Sequence, residues 1–164
     1  MNIAKDRTKI LISTKNTNIN GIILQDLLRK EKIEIEMAYP NYCLLISTIF
    51  DSKKGFERLK KALINIDKSI YKTKNEIKFS YTIPKQVLKI SEAMLMDNKT
   101  ISLSNSLDEI SSCFVYAYPP GIPLLTPGEL IDNRILDNIS LLKSSNISLN
   151  IDKYISVIDW QIKL

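Results

Sequence analysis

The chain has 164 residues, 45% hydrophobic and 25% charged, which is enough apolar side chain for one ordinary core or two small ones. Its 23 Lys and Arg against 18 Asp and Glu give a net charge of +5 that is spread along the chain, so no basic block marks a nucleic-acid surface. Histidine is absent, which excludes Ser-His-Asp and Cys-His catalysis and any histidine-ligated metal site.

Lys9 to Ser13 reads as a short apolar strand. Asn20-Gly21 then precedes a segment in which Ile23, Leu24, Leu27 and Leu28 share one helical face, ending near Glu31. Ile33, Ile35 and Met37 alternate with Glu34 and Glu36, the period-two pattern of a half-buried strand. Pro40-Asn41 turns the chain into the apolar run Tyr42 to Thr48, and a helix follows from about Ser52 to Ile66. Its Lys53 to Lys61 stretch is the densest in basic residues, but Phe56, Leu59 and Leu63 recur at helical spacing and the charges fall mostly on the other side. A solvated helix face accounts for them, and a nucleic-acid partner is not expected.

Residues 1–68 therefore form a β-α-β-β-α unit, and the polar, lysine-rich residues 69–79 read as a connection. Residues 80–164 form a second unit. Pro84 suits the first turn of a helix running to about Met96, with Val87, Leu88, Ser91 and Leu95 on a packed face. Ile101 and Leu103 alternate with serines as a strand would, Asp132 caps a helix carrying Ile135, Leu136, Ile139 and Leu142, and Ile151 to Ile162 adds a last strand. The expected class is α+β, two small subdomains, the second with a rigid Pro-rich segment.

Cys43 and Cys113 lie outside any Cys-X-X-Cys pair and read as reduced, buried thiols; no metal site is expected. No charged-and-apolar leader pattern is visible, and the longest apolar stretch, Cys43 to Phe50, is too short for a bilayer. A cytoplasmic location without a membrane partner is the expectation.

The most informative stretch is Tyr118 to Glu129, YPPGIPLLTPGE. Pro119, Pro120, Pro123 and Pro127 each fix φ and push the preceding residue toward an extended backbone, while Gly121 and Gly128 supply the freedom for turns. Each compatible proline removes about 0.4–1 kcal/mol of unfolded-state entropy, so the frame is stiff without help from helix or sheet. Tyr118 and Glu129 are polar groups on that frame. By physics alone, a brace for a small domain is favoured over a binding element.

This stretch closely resembles the signature of the C-terminal domain of the PLP-dependent Orn/Lys/Arg decarboxylases. Asp6-Arg7-Thr8-Lys9, Gly21 to Arg29 and Ile33 to Glu36 are similar, in order, to an Asp-X-X-Lys strand, a Gly-initiated helix ending in Leu-Arg and an Ile-X-X-Glu strand of the family's shorter members. Ile83-Pro84-Lys85 is similar to its Ser/Thr-Pro-Arg helix start. The resemblance implies that residues 1–68 are the small domain of an aminotransferase-like PLP enzyme and that residues 80–164 are the family's C-terminal domain. It also implies a polyamine-forming lyase as parent, an oligomer, whose missing large domain binds PLP and is this chain's partner.

The family's cofactor lysine lies in Ser-X-His-Lys and its pyridine-nitrogen partner in Asp-X-Ala-His, neither of which a chain without histidine contains. No catalytic residue and no bound cofactor are therefore expected here, and the chain alone is expected to be inactive. The resemblance makes Tyr118, Glu129 and Cys113 candidates for a substrate entrance. Cys113 stands where the family usually has an acidic residue, so a divergent, inactive paralogue acting as an interaction or regulatory module is the alternative.

Overall fold

The computed structural model describes residues 6–74, 82–118 and 121–160. Contacts divide the chain into Met1–Lys78 and Phe79–Leu164. In the first unit the order is β1 (Lys9–Ser13), α1 (Gly21–Lys30), β2 (Met37–Tyr39), β3 (Tyr42–Ile46) and α2 (Lys53–Asp67). β3 is the central strand, antiparallel to both neighbours, with Leu11 opposite Leu44 and Met37 opposite Leu44.

Both helices start on the side chains that the sequence offers. Asn20 Oδ1 accepts from Ile23 N–H at 2.8 Å, and Ser52 Oγ accepts from Gly55 N–H at 3.2 Å, satisfying amides that the first turn leaves unpaired. Leu24 and Leu28 of α1 and Ala62 and Ile66 of α2 meet Cys43 and Leu45 of β3 in one buried cluster.

The strand expected at Ile33 to Met37 is shorter than its alternation suggests. Lys32 takes a left-handed φ of 58°, and Ile33 N–H donates back to Leu28 C=O at 3.1 Å, so the end of α1 takes the amide of Ile33. The ladder begins only at Met37. Residues expected to open the connection are stitched into the first unit instead: Thr73 N–H donates to Asn16 C=O at 2.9 Å, and Asn18 and Tyr71 bond each other's groups. Residues 75–79 of that connection, and Ser80, lie outside the described residues.

The second unit runs α3 (Ile90–Ala93), β4 (Asn98–Ser102), a 3-10 turn (Leu103–Asn105), β5 (Val115–Tyr118), β6 (Ile122–Leu125), α4 (Asn133–Ser144), β7 (Ser148–Leu149) and β8 (Tyr154–Ile158). β4 pairs with β8, and a second sheet has the order β6-β5-β7. Asp132 caps α4 by accepting from Ile135 N–H at 3.0 Å. Ile135, Ile139 and Leu142 of that helix are buried, as are Val115, Ala117, Leu125, Ile155 and Val157 of the strands.

The long helix expected from Pro84 to Met96 is a single turn, α3. Val87 N–H and Leu88 N–H both donate to Gly128 C=O, at 2.9 and 3.1 Å, and Leu130 N–H donates to Lys85 C=O at 2.9 Å. Pairing with the Pro-rich segment thus takes the amides that a helix would have used. Val87 and Leu95, expected on a packed face, are 44% and 89% exposed.

Candidate functional site

The Pro-rich segment folds as a hairpin and a following turn. Sheet pairing holds it, contrary to the expectation of a frame that stands unaided. β5 faces β6 with Val115 opposite Leu125, Tyr116 opposite Pro123 and Ala117 opposite Ile122, and the register slips between Val115 and Tyr116. Gly121 N–H donates to Ala117 C=O at 2.9 Å, closing the connection between the strands. Pro123 is tolerated because β6 is an edge strand. Pro119 and Pro120 lie outside the described residues.

Pro127 and Gly128 are buried in the turn that follows β6. Both signature glycines take the positive φ expected of them, 91° at Gly121 and 88° at Gly128. At Gly128 there is also no room: a Cβ would stand 2.3 Å from Leu88 O. Gln86 donates its side-chain amide to Pro127 C=O at 3.2 Å, adding a second tie to the same turn.

The three sequence candidates are not brought together. Alternation along β5 buries Val115 and Ala117 and turns Tyr118 out, leaving it 65% exposed. Glu129 is only 8% exposed, and its Oε2 accepts from Thr126 N–H at 2.6 Å, across its own turn. Cys113 is half-buried; its N–H donates to Ser111 Oγ at 3.3 Å and its Sγ lies 3.7 Å from Ser156 O. Glu129 and Cys113 thus sit beyond the Val115–Leu125 end of the hairpin, whereas Tyr118 stands at the other end, roughly 10 Å along the strand. Tyr118 is the candidate open to solvent. Glu129 is built into the frame.

A residue that sequence reading missed completes this frame. Asn150 Oδ1 accepts from Tyr116 N–H at 2.8 Å, and its Nδ2 donates to Phe114 C=O at 2.8 Å. The only signal for it was the general capacity of an Asn carboxamide to imitate a backbone peptide.

Residues 71–149 match the family described as Orn/Lys/Arg decarboxylase, C-terminal domain. The chain is 33% identical over 140 residues to an arginine decarboxylase of Bacillus anthracis, covering 82% of this chain and 28% of that protein. It is 31% identical over 144 residues to the arginine decarboxylase of Bacillus subtilis strain 168, covering 84% and 28%. Among solved structures, a lysine decarboxylase from Francisella novicida matches with a TM-score of 0.73 at 19% identity, over 94% of this chain and 31% of that one. The constitutive lysine decarboxylase of E. coli matches with a TM-score of 0.72 at 16% identity, over 94% and 32%. The structural matches establish the fold: an α+β region of the kind found in decarboxylases of basic amino acids. With the family match over residues 71–149 and the curated relatives, the chain is similar to the C-terminal part of the Orn/Lys/Arg decarboxylases. It spans a little over a quarter of the curated relatives' length, 28% of each of these two.

The resemblance implies PLP for a full-length decarboxylase, and the residues described here do not fit that cofactor. A Schiff-base lysine has to be held in place at a desolvated site. Every described lysine is exposed except half-buried Lys143, whose ammonium donates to Asp152 C=O. Among the described residues no cluster of His, Cys, Asp and Glu could hold a metal ion, and no helix is long and apolar enough to cross a membrane.

Proposed function

We propose that the chain is the C-terminal portion of a PLP-dependent decarboxylase of a basic amino acid, and that its signature hairpin borders the substrate entrance. The parent is then an oligomeric, cytoplasmic lyase that makes polyamine precursors, and its large domain supplies PLP and all the bond-breaking chemistry. The observation that carries the entrance role is the exposure of Tyr118 on a strand whose alternate residues are fully buried. A phenol held outward on a rigid strand offers a hydrogen-bonding group and an aromatic face to a passing cationic amine.

Glu129 and Cys113 belong to the proposed entrance through the base of the hairpin. A buried carboxylate attracts a cation electrostatically, whereas a turn clamp requires only an acceptor. Glu129→Gln separates the two, since Gln keeps an oxygen for Thr126 N–H and removes the charge. In a full-length decarboxylase containing this region, a raised KM with Gln supports the electrostatic role. An unchanged KM leaves Glu129 as a clamp only.

The second reading is a non-catalytic interaction module derived from a divergent paralogue. What favours it is a run of exposed apolar side chains before and around α3, with Ile83 91%, Met94 62% and Leu95 89% exposed. Light scattering against concentration tests it: concentration-dependent self-association of the isolated chain supports a module that assembles, and a monomer at every concentration counts against assembly with copies of itself.

A further inference from the structure

We propose that Asn150 is a positioning residue for Tyr118, locking the register of β5 so that Tyr118 faces outward. The functional half of this proposal rests on the reading that Tyr118 borders a substrate entrance. β7 is two residues long and covers β5 only at Ala117 and Tyr118, through Leu149 and Ser148. Beyond that point the ladder on this side of β5 would stop. Asn150 continues it: its own N–H donates to Tyr116 C=O at 3.2 Å, its Oδ1 accepts from Tyr116 N–H, and its Nδ2 donates to Phe114 C=O. The carboxamide thus presents one acceptor and one donor where a longer β7 would have presented a peptide group.

The lock falls at the weak point of the strand. On the opposite side of β5 the pairing with β6 slips between Val115 and Tyr116, so the register set at Val115 does not carry through to Tyr116 on that side. Side chains alternate along a strand, and a slip of one residue would turn Tyr118 toward the core and Ala117 toward solvent. Fixing Tyr116 from the β7 side fixes Tyr118, which is two residues further on and on the same face. Asp lacks the donor for Phe114 C=O, and Ala lacks both groups.

The test uses the 164-residue chain with Asn150→Ala and Asn150→Asp, followed by amide hydrogen exchange resolved by residue. In the Ala variant the Tyr116 amide is expected to exchange about tenfold faster, with acceleration spreading to Tyr118, while Ile139 and Leu142 of α4 are unchanged. The Asp variant is expected to keep Tyr116 protected, because the acceptor remains. Unchanged exchange at Tyr116 in the Ala variant would overturn the proposal. So would equal acceleration across β5 and α4, which is general destabilisation. The functional half is read from steady-state kinetics of the Ala variant in a full-length decarboxylase containing this region. A several-fold rise in KM with kcat retained supports it. Faster local exchange with an unchanged KM overturns the entrance reading and leaves Asn150 a register lock alone.

Discussion

Single residues here carry structural duties that their chemistry defines. Burial raises the pKa of Asp132, but hydrogen bonds from the Arg134 side chain and Ile135 N–H outweigh it and hold the carboxyl below its ordinary range. The ionised cap therefore contributes stability above the unfolded pKa, and that contribution is lost as pH falls through the folded value. Asp132→Ala is expected to cost about 1 kcal/mol at neutral pH, and less in acid, by urea unfolding. Cys43 has the opposite sign. Desolvation raises its thiol from 9.0 to about 11, so the unfolded chain ionises first. The first unit should lose stability as pH rises from about 9 toward 11, and Cys43→Ala should flatten that part of the pH–stability curve. Equal slopes in the two proteins would refute the assignment.

Elements were legible wherever local signals and tertiary pairing agree. β1, α1, β3, α2 and α4 follow from apolar periodicity and from Asn20, Ser52 and Asp132 as caps, all local properties. The missed elements are those decided by a distant partner. Nothing within Pro84 to Met96 announces that Gly128 C=O will claim the amides of Val87 and Leu88. The hairpin was readable as stiff but not as a sheet, because β7 and Asn150, which complete it, lie far along the chain. Within the candidate site, the exposure of Tyr118 follows from strand alternation, whereas the burial of Glu129 depends on the turn it clamps. Gly128→Ala tests the pairing of this turn with residues 85–88, since both the positive φ and the Leu88 carbonyl oppose a side chain. A loss of about 2 kcal/mol or more is expected by urea unfolding, with Val87 and Leu88 amides deprotected. A near-neutral effect would show that the 85–88 segment does not depend on the turn.

At the scale of the whole molecule, the chain divides into two units, the second with the signature hairpin, and no described lysine is buried where a Schiff base could be held. It spans only 28% of its Bacillus relatives, so the chemistry proposed for the parent falls to the part of those relatives that these 164 residues do not match. The most direct measurement is carbon dioxide release from arginine, lysine or ornithine by the purified 164-residue protein with added PLP. Release no faster than PLP alone is the expected result, and saturable turnover that scales with protein concentration would contradict the proposed division of labour.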